Sequence, residues 1–545
     1  MFKKTLIKLL LLPLVLLVLN AEALPEVYDL RNVNSVSYLS MVRSQQGGTC
    51  WAHGSMAAIE SNMLINGLWP LNELYNLNLS EYHLDWWNGF NLYFNEDFGF
   101  DPEEGLEVHM GGDYRVTTAY LSRGDGAVLH LDAPSFENAD PRREDYYTYY
   151  YPRHVEWFSL NEDMSNMDVL KRTIMDYGAV GTCMYVGTGL LNDTTGIHYQ
   201  EALDYNDPNH SIAIVGWNDT LSTQADLPGA WLCKNSWGES WGSNWQGYGY
   251  FWISYYDKHA ARQDEMGFVS FKEVEPMRYD TVYYHDYHGW RDQLEDIQEA
   301  ANIFEARGND TLVAVNFFTA EDSVNYTLKI FMGMSQLHAG LASHSQNGFF
   351  AHKGFHTVDL TNKITLIEQD TFIVSLSFDK GAYPYDKSSE VPVLLGVPSI
   401  YAMNLVTPIV PSKADFNESL LKISGQWIDL QYIDESANFC IKALVNCDKS
   451  ISALSNVSEK SSFSLYPNPS HQRINVNFNL PVSADVKISL YNLMGRRVSI
   501  LEKKSYPMGY NMDNFSLSGL PNGIYLCIFE QDGVAVHKQK IVVMK

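Results

Sequence analysis

The sequence predicts an α+β unit first, then a β-sandwich, then a small all-β unit of immunoglobulin-like character. Three observations carry this. At 545 residues the chain exceeds the size at which one core stops growing, so roughly three domains are expected. Helical periodicity comes early, with Trp51, Ser55, Ile59 and Met63 recurring at four-residue intervals among the helix formers Ala52, Ala57 and Ala58. Alternation comes later: Val324, Tyr326, Leu328 and Ile330 are separated by Asn325, Thr327 and Lys329, and Phe372, Val374, Leu376 and Phe378 repeat the pattern. Period two over successive runs means half-buried strands.

Taken in order, residues 1–23 read as an export signal. Lys3, Lys4 and Lys8 give a positive start, Leu9 to Leu19 an apolar run, and Ala21-Glu22-Ala23 a small-residue cleavage site. The run is too short to span a bilayer. Residues 24–278 hold the α+β unit and residues 279–447 the β-sandwich. Residues 448–462 are serine-rich, as in a linker. Residues 463–545 form the last unit, with strand signals at Ile474 to Phe478, Val486 to Leu490 and Ile524 to Phe529.

The formal charge of -27 and pI near 4.9 argue against a nucleic-acid partner, which needs clustered Lys and Arg. Six cysteines are few for an exported chain of this size and make no disulfide framework. Cys440 and Cys447 could bridge if a turn separates them, or stand as two buried thiols. No Cys or His spacing fits zinc, so no metal and no cofactor are expected. Trp86 to Phe100 and Asp145 to Tyr151 are aromatic-rich. Loop packing is favoured there over a sugar-stacking surface.

The stretch Gln45-Gln46-Gly47-Gly48-Thr49-Cys50-Trp51-Ala52 delivers a cysteine to a helix start, where unpaired N–H groups favour thiolate. A thiolate nucleophile needs a base, and the base needs an orienting group. Asn209-His210-Ser211 opens a β-branched run, and Asn235-Ser236-Trp237-Gly238 closes a second strand. His53 is a rival base. Three residues beyond Cys50 on the same helix, it reads as a packing residue, because it cannot approach from across a cleft. His83, His109, His198 and Cys233 take structural or surface readings.

These motifs, in this order and continued by Gly247-Tyr248-Gly249-Tyr250-Phe251, resemble the papain family of cysteine peptidases over about residues 24–256. The resemblance implies a two-lobed fold with peptide bound between a helical lobe carrying Cys50 and a β-rich lobe carrying His210 and Asn235. It implies that Cys50 attacks the scissile carbonyl, His210 moves the proton and Asn235 orients the imidazole. A glutamine should complete the oxyanion hole. The family's stands six residues before the cysteine; here the loop is one residue short, and Gln45 is preferred over Gln46. Gly111-Gly112 resembles the glycine pair that lies along the substrate, and Trp237 the tryptophan that shields the Asn-His bond. Cys183 reads either as a wall of the second specificity pocket or as a core thiol. The stretch before Cys50 is too short for the family's inhibitory propeptide, so any latency is expected from elsewhere in the chain or from export.

Tyr279-Asp280-Thr281-Val282-Tyr283-Tyr284 opens a region similar to the lectin-like β-domain of some bacterial peptidases, which makes glycan a candidate partner without establishing sugar binding. Leu465-Tyr466-Pro467-Asn468-Pro469, Leu490-Tyr491-Asn492 to Gly495, Leu520-Pro521-Asn522-Gly523-Ile524-Tyr525 and Ile541-Val542-Val543 resemble the bacterial type IX secretion sorting domain. That implies the type IX machinery as a partner and a secreted or outer-membrane surface location in a bacterium. The leading expectation is an endopeptidase acting on protein or peptide through a thioester acyl-enzyme. The alternatives are a surface adhesin or glycan-binding protein on an inactive peptidase scaffold, and a thiol acyltransferase.

Overall fold

The structure, a computed structural model, describes residues 23–447 apart from 98, 101–103, 265, 392–394 and 397–408, and residues 463–544 apart from 467–469, 481–482, 493–495, 508 and 532–533. The expected export signal up to residue 22, the linker, the Pro467-Asn468-Pro469 turn and Gly495 lie outside the described residues.

Helix α1, Cys50–Ile65, is buried on every side, its polar His53, Glu60 and Asn62 included. Around it lie α2, Glu81–Trp87, and α3, Tyr114–Ser122. Their starts are fixed chemically: Ser80 Oγ accepts from the His83 N–H at 3.0 Å, and the Asp113 carboxylate accepts from the Val116 N–H at 2.7 Å. Helix α4, Met167–Tyr177, turns Leu170 and Ile174 inward.

A 13-stranded sheet organises most of the molecule. Its N-terminal part runs, in spatial order, Tyr150–Phe158, Phe268–Pro276, Val180–Met184, His210–Asn218, Ala230–Lys234 and Tyr250–Ser254. On the other side of Tyr150–Phe158 the same sheet continues through Gly354–Leu366, Asp310–Thr319, Ile441–Cys447 and Thr281–Tyr283. The join is antiparallel, with Gly354 opposite Glu156, Phe355 opposite Val155 and His356 opposite His154. A Cβ on Gly354 would lie 2.1 Å from the Val155 carbonyl oxygen, so the strands meet where only glycine fits. The sheet therefore crosses the division expected after residue 278.

A six-stranded sheet faces this second half, and both alternating runs lie in it: Val324–Met332 pairs with Thr371–Phe378. Val324, Tyr326, Leu328 and Ile330 are buried, as period two requires. The C-terminal unit has a three-stranded and a four-stranded sheet closing on Ile474, Val476, Phe478, Ile488, Leu490 and Phe529. The result is the expected α+β unit, β-sandwich and all-β tail.

Two expectations resolve against the packing. Cys440 and Cys447 are free thiols; the strand Ile441–Cys447, not a turn, separates them. At about 3.3 Å per residue, an extended strand puts them well beyond bridging distance. The aromatic-rich stretch is loop packing: Trp86 and Trp87 donate their indole N–H groups to the Phe136 and Asp140 carbonyls at 3.1 and 2.8 Å.

Candidate active site

Cys50 is the first residue of α1. His210 is the first residue of its strand, and Asn235 directly follows the strand Ala230–Lys234, which pairs with it. Adjacent strands thus bring His210 and Asn235 together from separate motifs. His210 Nε2 lies 2.9 Å from Asn235 Oδ1, and Asn235 Oδ1 also accepts from the Ser236 N–H at 2.8 Å. Trp237 stacks on the imidazole with centroids 4.7 Å apart, shielding that bond from water. With Nε2 engaged, Nδ1 is the nitrogen left to serve a thiol.

The Ser211 N–H donates to Cys50 Sγ at 3.3 Å, so the thiol lies against the residue after His210. Among the described residues no hydrogen bond joins the thiol to the imidazole. Cys50 is 0% and His210 5% exposed. Burial pushes the Cys50 thiol up to about 12, against the N–H groups of Ser211, Trp51 and Cys50 itself. Burial pushes His210 down to about 4, against the Asn235 hydrogen bond. Burial therefore works against the thiolate that the helix terminus favours, and it opposes the charged form of both groups.

Gln45 takes its place through Ser236. The Ser236 hydroxyl donates to Gln45 Oε1 at 2.6 Å, the Gln45 N–H donates to the Ser236 carbonyl at 2.7 Å, and Gln45 Nε2 donates to the Gly47 carbonyl at 2.9 Å. Gln46 is exposed. Gly111 has φ +106°, and a Cβ on Gly112 would press 2.6 Å from the Trp51 indole. Cys183 is fully buried in the core cluster that also holds Trp51 and Tyr114, and no described cavity opens on it; this is the core-thiol reading. His53 is tied to its own helix, with Nδ1 2.9 Å from the Thr49 carbonyl oxygen, as a packing residue would be. His83 and His198 are buried and bonded to protein atoms.

Other contributors carry no sequence signal. The hydroxyl of Tyr114, at the start of α3, lies 2.6 Å from Ser211 Oγ and donates to the Thr182 carbonyl at 2.9 Å, tying the helical side to the His210 strand. Leu395 and Gly396 reach the cleft from far along the chain. Away from it, Asp97, His288 and Asp386 bring one donor atom each to within 4.8 Å of one another. They come from three distant segments, so no local spacing could announce them.

Three stretches of the chain match family models: residues 111–268 a papain family cysteine protease, 282–445 a lectin-like domain, and 464–544 a secretion system C-terminal sorting domain. The first match begins after Cys50, so His210 and Asn235 lie within it and Cys50 outside. Cathepsin Z of Onchocerca volvulus is 26% identical over 236 residues, which is 41% of this chain and 70% of that protein. Cathepsin K of Mus musculus is 25% identical over 209 residues, 38% of this chain and 54% of that protein; the chain thus spans only about half of that relative. The solved cysteine protease and lectin-like domains of Cwp84, described as a surface layer associated protein of Clostridium difficile, are similar with a TM-score of 0.59 at 22% identity, covering 78% of this chain and 90% of that one. At that identity the likeness speaks for the fold.

Proposed function

This chain carries a papain-family cysteine peptidase domain, a lectin-like domain and the sorting domain of a secreted or cell-surface protein, and from that premise we propose that it is an endopeptidase working through Cys50, His210 and Asn235. The observation that supports this reading best is the 2.9 Å bond from His210 Nε2 to Asn235 Oδ1 beneath Trp237, beside a cysteine at a helix start. In the proposed reaction the thiol turns from the Ser211 amide toward Nδ1 and passes its proton there. It then attacks the peptide carbonyl, and the imidazolium protonates the leaving amine. Water resolves the thioester. The Cys50 backbone N–H and Gln45 Nε2 are the proposed oxyanion donors, each commonly worth about 3 kcal/mol. The partners proposed are a protein or peptide substrate, the secretion machinery, and glycan at the lectin-like domain.

The complete burial of Cys50 is the observation that favours the second reading, a surface binding protein on an inactive scaffold. A thiol-directed peptidyl epoxide with mass spectrometry, a Cys50→Ala control and a fluorogenic peptide assay separate the two. Adduct at Cys50 with hydrolysis lost in the control establishes the peptidase. No cleavage by a chain whose cleft is open leaves the binding protein.

A further inference from the structure

Residues Leu395 and Gly396 belong to the stretch matched as lectin-like, yet they lie in the cleft. Leu395 and Gly112 form an antiparallel bridge: the Gly112 N–H donates to the Leu395 carbonyl at 3.2 Å, and the Leu395 N–H donates to the Gly112 carbonyl at 2.9 Å. One residue on, the Gly396 N–H donates to the carbonyl of Asn209, the neighbour of His210, at 2.9 Å. These are the extended main-chain bonds by which a cleft grips a peptide of any sequence. Leu395 is 0% exposed, within the core cluster that holds Cys50, Trp51, Tyr114 and Cys183. Gly396 lies against Gly48, two residues before the thiol. A Cβ on Gly396 would be 2.1 Å from the Gly48 carbonyl oxygen, and a Cβ on Gly48 would be 2.4 Å from the Gly396 carbonyl oxygen. Gly396 also has φ +108°, which a larger residue rarely adopts.

We propose that Leu395-Gly396 is an internal, substrate-like occupant that holds the cleft closed, and that it reports the cleft's own preference for leucine followed by glycine. The occlusion stands on the geometry alone, whereas the preference rests on the peptidase reading. Latency then resides in the lectin-like domain, and whatever draws that segment out activates the thiol. Removing the occupant also returns water to Cys50 and His210, whose charged forms burial disfavours.

The test is the rate at which iodoacetamide labels Cys50 in the folded full chain, mapped by mass spectrometry, with exposed Cys447 as the internal standard. Two variants unseat the occupant: Gly396→Ala, which has no room for its Cβ, and Leu395→Asp, which would bury a carboxylate. In the wild type Cys50 should label slowly while Cys447 labels freely. In either variant Cys50 should label faster by about 100-fold or more, as expected when a strongly favoured closed state is lost. Adding the peptide acetyl-Val-Leu-Leu-Gly-amide to the Gly396→Ala chain should restore protection. An unfolded variant reveals itself by labelling buried Cys183 and Cys233 as well, and the wild-type rate then decides.

Wild-type Cys50 labelling as fast as Cys447 overturns the proposal, and so does a folded variant whose Cys50 stays protected. If the variants label but cut no peptide, the occupant stands and the peptidase reading falls. If they cut peptides with bulky or charged residues in place of Leu-Gly equally fast, the preference is refuted and the occlusion kept.

Discussion

Replacing Asn235 with alanine removes an acceptor that two buried donors share, the His210 ring at 2.9 Å and the Ser236 N–H at 2.8 Å. A buried donor left without a partner costs about 1–3 kcal/mol, so the loss of stability should be about 2–6 kcal/mol. Catalysis should suffer separately. The ring would be held only by its stacking on Trp237, and loss of one orienting hydrogen bond to a group that becomes charged should lower kcat about tenfold to a hundredfold. KM should move little, because nothing in the change touches the Gly112 wall. The pH profile gives a signature that misfolding would not. The Asn235 bond favours the protonated ring, so its removal lowers the His210 pKa and, because His210 must be unprotonated to take the thiol proton, shifts the acid limb of kcat/KM to lower pH. The assay is kcat and KM on a fluorogenic peptide across pH, for the full chain and for Gly396→Ala, beside a thermal melt. An Asn235→Ala protein that keeps kcat within about twofold, with its acid limb unmoved, would refute the orienting role.

Gln45→Ala should cost about 10²–10³ in kcat if its amide serves the oxyanion, while Gln46→Ala should leave kcat unchanged; the opposite ranking would reassign the donor. Gly354→Val should destabilise the protein by about 1–3 kcal/mol, read as a lower denaturant midpoint, because a Cβ would lie 2.1 Å from the Val155 carbonyl oxygen. Burial alone would raise the Asp125 carboxyl, but Arg123, Arg142 and Arg143 hold it well below the usual carboxylate range. Its folded pKa is depressed, so its contribution is full above about pH 4, its unfolded value, and fades as pH falls toward the folded one. Asp125→Asn should therefore cost about 3–5 kcal/mol near neutrality, and the gap to the wild-type melt should narrow below about pH 4. A gap that stays constant with pH would show that the carboxylate's charge contributes nothing.

What could be read in the sequence was what short-range chemistry writes there. The helix after the glycine loop, the alternating strands and the motifs around Cys50, His210 and Asn235 each announce themselves within a few residues. What escaped depends on partners far apart in sequence. Leu395-Gly396 is an ordinary dipeptide in sequence, and nothing in it names Gly112, Asn209 or Gly48 as neighbours. The burial of Cys50 escaped for the same reason: a helix terminus is local and visible, whereas the shell that buries the thiol is assembled from distant residues. Ser211 and Tyr114 hold the cleft's two sides together through a hydroxyl pair no motif contains.

The strands that meet at Gly354 and Glu156 have a mechanical consequence. Force applied to the lectin-like half, as when that half is anchored to a surface and its target is pulled, passes through backbone hydrogen bonds into the strand Tyr150–Phe158 rather than being absorbed by a loose tether. The same half supplies Leu395 and Gly396, so tension there acts on the segment bonded to Gly112 and Asn209. Removing the half by truncation would leave Tyr150–Phe158 as a raw edge, open to pairing with any other chain. The two parts would have to be inherited, exported and regulated as one body.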